Sequence, residues 1–345
     1  MDMSASFSCA IEILRDTTGI VIPVYFPEGI DSLLGEDLLR DTVVGCCSQV
    51  GDPAAICLSV DGAKFGLAAA DRMVKEFGVS VCAGSVNEGK LKAVACGMRW
   101  LLNEQDPNYI AVVDQDGDHF GNELLNFIRV ALHIAGGTGA DRILVLGRRI
   151  SRHRPMGFLR GELEEFVDRI LLDALHYRAA VMNRPLRMEH AFVLEEFPDF
   201  HSGYKLFSRT IASEVFLGEP NLAGVSEACY YRHACEAVMV VEALEGGAYL
   251  GVVNRRTLNE QPISTFGLMN RSRLMANKII WPCKRLNVPL PFVKQWMANH
   301  IPRLLLNTLT PDGRGELEEI RQLVLDEFDT RQTRGEEKIL HPLFV

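Results

Sequence analysis

Asp114, Asp116 and Asp118 stand at i, i+2 and i+4 in the segment VVDQDGDHF, directly after an apolar run. Carboxylates this close repel one another, so gathering them is costly unless a cation neutralises them. Ligand sets made only of oxygen suit Mg2+ or Mn2+, ions that keep several waters and share substrate phosphates. The plain alternative is a solvated acidic turn, and the apolar strand just ahead of the triplet weakens it. Asp114 and Asp116 are therefore expected to hold a divalent metal.

A second anomaly is RRISRHRPMGFLR, residues 148–160. It carries Arg148, Arg149, Arg152, Arg154, Arg160 and His153 without one acid, in a chain of formal charge −9. Guanidinium forks match phosphate geometry, so five arginines without a counter-charge predict an anion site rather than a solvated loop. Asn87–Glu88–Gly89–Lys90 opens a helix. Either Asn87 caps it and Lys90 points to solvent, or Lys90 and the free N–H groups face an anion. Metal-binding acids beside an arginine-rich loop describe a site for a diphosphate and a second phosphate.

The elements that must position these residues alternate. Gly19–Val24, Ala54–Val60, Val79–Cys82, Tyr109–Val113 and Ile143–Leu146 are short apolar runs bounded by turn residues, and read as strands. Between them lie helical segments at Lys64–Phe77, with Gly78 in the C′ position, at the stretch opened by Asn87, and near Asn122–His133. Strands spaced by such helices predict an α/β fold, a mostly parallel sheet with helices on both faces. Ligands of such sheets bind beyond the carboxyl ends of the strands, where Asp61, the Asp114 triplet and the arginine loop all fall. Further on, Phe158–Met182 reads as one long amphipathic helix, followed by a strand-like segment around Phe192, a helix near Ala234–Leu244 and a strand at Ala248–Val253. From Thr265 the chain reads as helices broken by Pro282, Pro289, Pro291, Pro302 and Pro311, and its last fifteen or so residues as a tail.

Composition bounds the function classes. The 345 residues are 48% hydrophobic, enough for a sizeable core. The negative charge argues against a general nucleic-acid or membrane-surface binder. The longest apolar runs, Tyr109–Val113 and Ala237–Val241, fall far short of the roughly 18 residues of a spanning helix, so no transmembrane segment is expected. Acids near the N-terminus do not suit a signal peptide. Nine cysteines without a CxxC pair read as reduced thiols of a cytoplasmic protein. Cys229, His233 and Cys235 match no common zinc spacing and are read as structural.

DQDGD has two rival readings, and one of them stays open. An EF-hand loop fails, because His119 occupies the sixth position, which needs glycine, and Leu125 the twelfth, which needs glutamate. A phosphohydrolase of the haloacid-dehalogenase type would use Asp114 as nucleophile and Asp116 as acid, although its motif usually lies on the first strand.

Taken in order, five segments resemble nucleotide-sugar-dependent glycosyltransferases of family 2, with the type A (GT-A, Rossmann-like) fold, especially synthases like dolichyl-phosphate mannosyltransferase. IPVYFPEG resembles the opening strand and turn beside the nucleotide, with Pro23, Tyr25 and Glu28; CLSVDG is similar to the segment whose acid, here Asp61, holds base or ribose. NEGKLKAVACGM, with Lys90, resembles the family's N-x-G-K helix, and VVDQD its D-x-D, with Asp114 toward the nucleotide and Asp116 on the metal. FPDFHSGYKLFSR, with Asp199, Ser202 and Arg209, resembles the family's most specific segment. The resemblance spans about residues 19–267 and implies a catalytic domain over 15–265 with a helical extension over 266–345.

It also implies a mechanism. Mg2+ or Mn2+ and the arginines bind the diphosphate of a UDP- or GDP-sugar, and an acceptor oxygen attacks the anomeric carbon with inversion. A hydroxyl acceptor needs a base, expected at Asp199 or else Glu236, with capping of the Ser202–Tyr204 turn as the plain role of Asp199. A lipid-phosphate acceptor would instead be positioned by Arg148, Arg160 and Arg209. Ser264 in QPIS resembles a loop that closes over such sites. The turn DGAKFG lacks the second Asp and the Ser-Thr of the family, which leaves the base open, and the absence of QxxRW argues against processive polymer synthesis. No glycine-rich phosphate loop follows the first strand, which argues against a nucleotidyltransferase. A nonenzymatic nucleotide sensor on the same fold is a third class. The expected enzyme is cytoplasmic, soluble or peripheral to a membrane, with oligomer contacts or acceptor selection assigned to the helices after Thr265.

Overall fold

Seven short segments of the chain pair into one sheet. The computed structural model describes residues 3–29, 31–150, 152–191, 198–257 and 269–328. The strands are β1 (Thr18–Val24), β2 (Ile56–Val60), β3 (Ser80–Ala83), β4 (Tyr109–Val112), β5 (Ile143–Arg149), β6 (Lys205–Ser208) and β7 (Tyr249–Arg255). Their order is β3-β2-β1-β4-β6-β5-β7. β6 runs antiparallel to both β4 and β5, and every other pairing is parallel. The expected mixed α/β architecture with a mostly parallel sheet is therefore present, together with one reversed strand that the apolar pattern did not reveal.

Alternation along the strands divides the core in two. Ile20, Ile22, Val24, Leu58, Ala111 and Val145 point to one face, and Val21, Cys57, Ile110, Val112 and Leu144 to the other. Strands buried on both faces are apolar at nearly every position, which is why they were legible as continuous runs. The first face is covered by α1 (Met3–Asp16), α2 (Ser32–Cys47), α3 (Leu67–Phe77) and α5 (Leu124–Thr138). On the second face lie α4 (Lys90–Glu104), α7 (Phe158–Val181), α8 (Arg209–Leu217) and α9 (Cys235–Glu245). Between β5 and α7 sits a single turn, α6 (His153–Met156).

The helical part that follows is α10 (Arg271–Arg285), α11 (Leu290–His300), α12 (Leu306–Leu309) and α13 (Gly313–Phe328). Met275, Ile279 and Trp281 of α10 and Leu317 and Ile320 of α13 share one core with Phe166 and Ile170 of α7. Pro282 does not break α10. It lies inside the helix, which runs on for three residues to Arg285. The segment around Phe192, the loop holding Ser264, the boundary near 265 and the tail lie outside the described residues.

The parallel strands bring their carboxyl ends to one rim. Because β6 is reversed, its start, and the turn Ser202–Tyr204 before it, reach that same rim. Its end does not. Ser208 pairs with Tyr109 at the beginning of β4, so Arg209 sits on the opposite edge of the sheet from Asp114.

Candidate active site

Beyond β4 the chain curls back on itself. The Asp114 N–H donates to Nδ1 of His119 at 2.8 Å, and the Asp118 N–H donates to Asp116 Oδ1 at 3.2 Å. Gly117 allows the reversal with φ +76°, a conformation that costs glycine little. Asp118 is fully buried against the Arg255 guanidinium, 3.2 Å away, which anchors the turn to β7. His119 accepts through Nδ1 and stacks on Tyr204, ring centres 4.7 Å apart. Burial, and after it Arg255 and Lys90, hold its pKa well below the usual value, so the imidazole is neutral.

Asp114 and Asp116 are left half-buried on a cleft at the rim. Burial first, and then repulsion from Asp114 and Asp118, raise the Asp116 carboxyl to a pKa of about 7. The donor set is thus two neighbouring carboxylates, a pair that fits a hard divalent cation.

Lys90 begins α4 and bridges two acids across the cleft, 2.7 Å from Asp114 Oδ1 and 2.9 Å from Glu236 Oε1. Burial disfavours its charge, but Asp114 and Glu236 more than compensate and keep the ammonium protonated. Burial also pushes Glu236 up, yet Lys90, Lys278 and Lys205 hold it well below the usual carboxylate range. Its second oxygen accepts the Cys235 thiol at 2.7 Å.

The loop before Lys90 is held differently from the expected cap. The Asn87 side chain receives Arg232, and no side chain caps Gly89 at the helix start. Asp61, at the end of β2, takes over by accepting the N–H groups of Glu88 at 2.8 Å and Gly89 at 3.0 and 3.1 Å. A carboxylate offers about four acceptor sites, so Asp61 ties down this loop and still borders the cleft. Pro23 and Tyr25 line the same wall, where the Gln115 side chain pairs with the backbone N–H and C=O of Tyr25 at 3.1 and 2.6 Å.

Gly203 lies against the acid turn. A Cβ there would stand 2.0 Å from Asp114 Oδ2. Gly203→Ala is expected to force that carboxylate off Lys90 and to cost about 1–3 kcal/mol of stability, read by denaturant melting.

The arginine loop looks very different in space than along the chain. Arg149 is buried and donates to Asp199 through Nε at 2.7 Å and Nη2 at 2.8 Å, and to Glu164 through Nη2 at 2.7 Å. Arg152 binds Asp168 at 2.6 Å, and Arg160 binds Glu164 at 3.0 Å. The missing counter-charges are therefore supplied by α7 and by residue 199. Of the expected anion ligands, Arg160 lines the cleft, whereas Arg148 turns to Asn254 Oδ1 at 3.2 Å. Successive residues of β5 face opposite sides of the sheet, which separates Arg148 from Arg149. The side chain of Arg154 lies outside the described part.

Asp199 is not placed as a base. It is fully buried, and Arg149 engages both of its oxygens. Although burial pushes this carboxyl up, Arg149 and Arg152 hold it well below the usual range. Three further expectations are corrected. Arg209 pairs with Asp106 at 2.7 Å on the far edge of the sheet, because β6 runs antiparallel. The exposed Glu28 pairs with Lys64 away from the cleft, and Ser202 is buried within its turn, where Oγ accepts the Tyr204 N–H at 3.4 Å. Four basic residues of the cleft had not been singled out: His201, Arg232, Arg255 and Lys278. Of these, only His201 carried a sequence signal, its place within FPDFHSGYKLFSR.

No family model and no curated protein matches this chain. Among solved structures it is similar to S. aureus TarS 1–349, with 10% identity over 90% of this chain and 89% of that one, at a TM-score of 0.42. The TarS fragment in complex with UDP gives 11% identity over the same shares and a TM-score of 0.41. A mycobacterial protein gives 17% identity over 82% of this chain and 79% of its own, at a TM-score of 0.45.

Proposed function

We propose that the chain is a metal-dependent, inverting glycosyltransferase of the type A architecture, using a UDP- or GDP-sugar as donor. One observation carries the reading. The half-buried Asp114–Asp116 pair, Lys90 and Glu236 converge on one cleft at the carboxyl rim of a parallel sheet. Asp114 and Asp116 hold Mg2+ or Mn2+, which when bound neutralises the diphosphate of the donor and stabilises it as leaving group.

The chain's own residues do the rest. Lys90 places an ammonium beside Asp114 at the N-terminus of α4, where free N–H groups favour a phosphate. Pro23, Tyr25 and Asp61 border the nucleoside end of the cleft. Glu236 lines the cleft, as the fully buried Asp199 does not, and it therefore replaces Asp199 as the carboxylate that orients an acceptor hydroxyl and takes its proton as the new C–O bond forms. The neutral His119, stacked on Tyr204, keeps the acid turn in shape without adding charge.

Protons compete with the metal for Asp116. Its carboxyl titrates near 7 without a cation, so Mn2+ affinity is expected to fall as pH drops below 7, by about tenfold per unit. Calorimetric Mn2+ titrations at pH 8, 7 and 6 check this. Incubation with a panel of UDP- and GDP-sugars and Mg2+, followed by product analysis, tests the reaction itself. Release of nucleoside diphosphate supports the proposal. Phosphatase turnover, with an aspartyl-phosphate trapped at Asp114 by beryllium fluoride, would favour the phosphohydrolase instead.

A further inference from the structure

Helix α10 belongs to the helical part after β7, yet one of its side chains reaches the cleft. Lys278 is only 8% exposed and lines the same cleft as the acid turn, His201 and Arg160. Among the described residues, no hydrogen bond or ion pair reaches its ammonium. The neighbouring acids are already served. Glu164 binds Arg149 at 2.7 Å and Arg160 at 3.0 Å, and Glu236 binds Lys90 at 2.9 Å. Lys278 is close enough to favour the ionised form of both carboxylates, and it joins neither.

A lysine this buried, lining a cleft with no direct partner for its ammonium, is suited to a ligand that supplies the missing charge. The same cleft holds a second unmatched group. His201 binds Asp168 through Nδ1 at 2.6 Å, while its buried Nε2 has no hydrogen-bond partner. One guest satisfies both: an oxyanion for the ammonium and a hydroxyl for the imidazole nitrogen.

We propose that Lys278 binds the anionic group, a phosphate or carboxylate, of a hydroxyl-bearing acceptor. The helical part then completes an acceptor subsite separate from the metal-bound donor. This rests on the glycosyltransferase reading. Attack comes from the hydroxyl, and the oxyanion is a handle that fixes its aim. A rigid hold of this kind converts binding into orientation of the reacting atom.

The test uses the full chain saturated with Mg2+ and UDP and titrated with inorganic phosphate by calorimetry. Wild-type protein is expected to bind phosphate. K278Q is expected to lose at least tenfold in phosphate affinity, and K278R to stay within threefold of wild type. UDP affinity is expected to stay within twofold in both variants, and their melting temperatures to match wild type, which separates the effect from misfolding. Unchanged phosphate binding in K278Q, a parallel fall in UDP affinity, or no phosphate binding by wild type would each overturn the subsite. Should UDP itself fail to bind, the donor reading fails, and the same phosphate titration with Mg2+ alone still tests Lys278.

Discussion

Asp116→Asn is expected to raise stability while removing activity. Asparagine has nearly the same shape but no charge, so the turn keeps its Asp118 N–H bond. The folded pKa of Asp116 is raised above its unfolded value, which means the group stabilises the metal-free fold only at low pH. That contribution is lost as pH rises through about 7, and at pH 8 the ionised acid works against folding. Removing it should leave the melting temperature of the metal-free protein unchanged or higher. Donor turnover, by contrast, should fall on the order of a thousandfold, because a metal held by this pair would lose one of its proposed ligands and the leaving diphosphate its counter-charge. Melting curves at pH 8 and a turnover assay on the same preparation read both effects. Loss of stability together with activity would mark Asp116 as a structural residue.

Asp199→Asn is expected to do the reverse, damaging the fold first. Arg149 is buried and donates three hydrogen bonds to Asp199, one from its backbone N–H at 3.0 Å and two from its guanidinium. Removing one partner of such a pair strands the other charge, which costs about 3–5 kcal/mol. The folded pKa of Asp199 is depressed, so its contribution is present above the unfolded value near 4 and is lost as pH falls below it. Wild type and variant should therefore converge in stability under acid. Denaturant titrations at pH 7 and pH 3 check this. A variant of native stability whose turnover alone collapses would restore Asp199 as a base.

These two acids show which parts of the site were legible in the sequence. The Asp114–Asp116 pair follows an apolar strand and lies within three residues, so its chemistry is local and could be read directly. Lys90 was legible as the first residue of a helix, while its double bridge to Asp114 and Glu236 depends on a contact 146 residues apart. The arginine loop misled for the same reason. Its counter-charges at Glu164 and Asp168 lie on the helix that follows it, and Asp199 comes 50 residues after Arg149. Sequence distance hid the neutrality.

The fold itself was legible where burial on both faces makes strands apolar throughout. β6 escaped because it is four residues long and begins with Lys205, a fully buried lysine whose burial lowers its pKa to about 8 and whose Nζ donates to the Ser202 carbonyl. That one reversed strand then decides two assignments, bringing the Ser202–Tyr204 turn to the cleft and sending Arg209 to the far edge. The helices after Met269 offered only amphipathic periodicity. Nothing in that pattern distinguishes Lys278 from a solvated lysine; its burial follows from its place on α10, a helix packed against α7 and α9.

The central claim is that the acid turn loads a metal which in turn holds a nucleoside diphosphate. Calorimetric titration of the wild-type chain with UDP and with GDP, each with and without Mn2+ at pH 7.5, tests it most directly. Tight binding of one of the two is expected only when Mn2+ is present, and is expected to be abolished in Asp116→Asn. Binding of neither nucleotide with Mn2+ present, or equal binding without it, would show that the acid turn holds no metal-bound nucleotide.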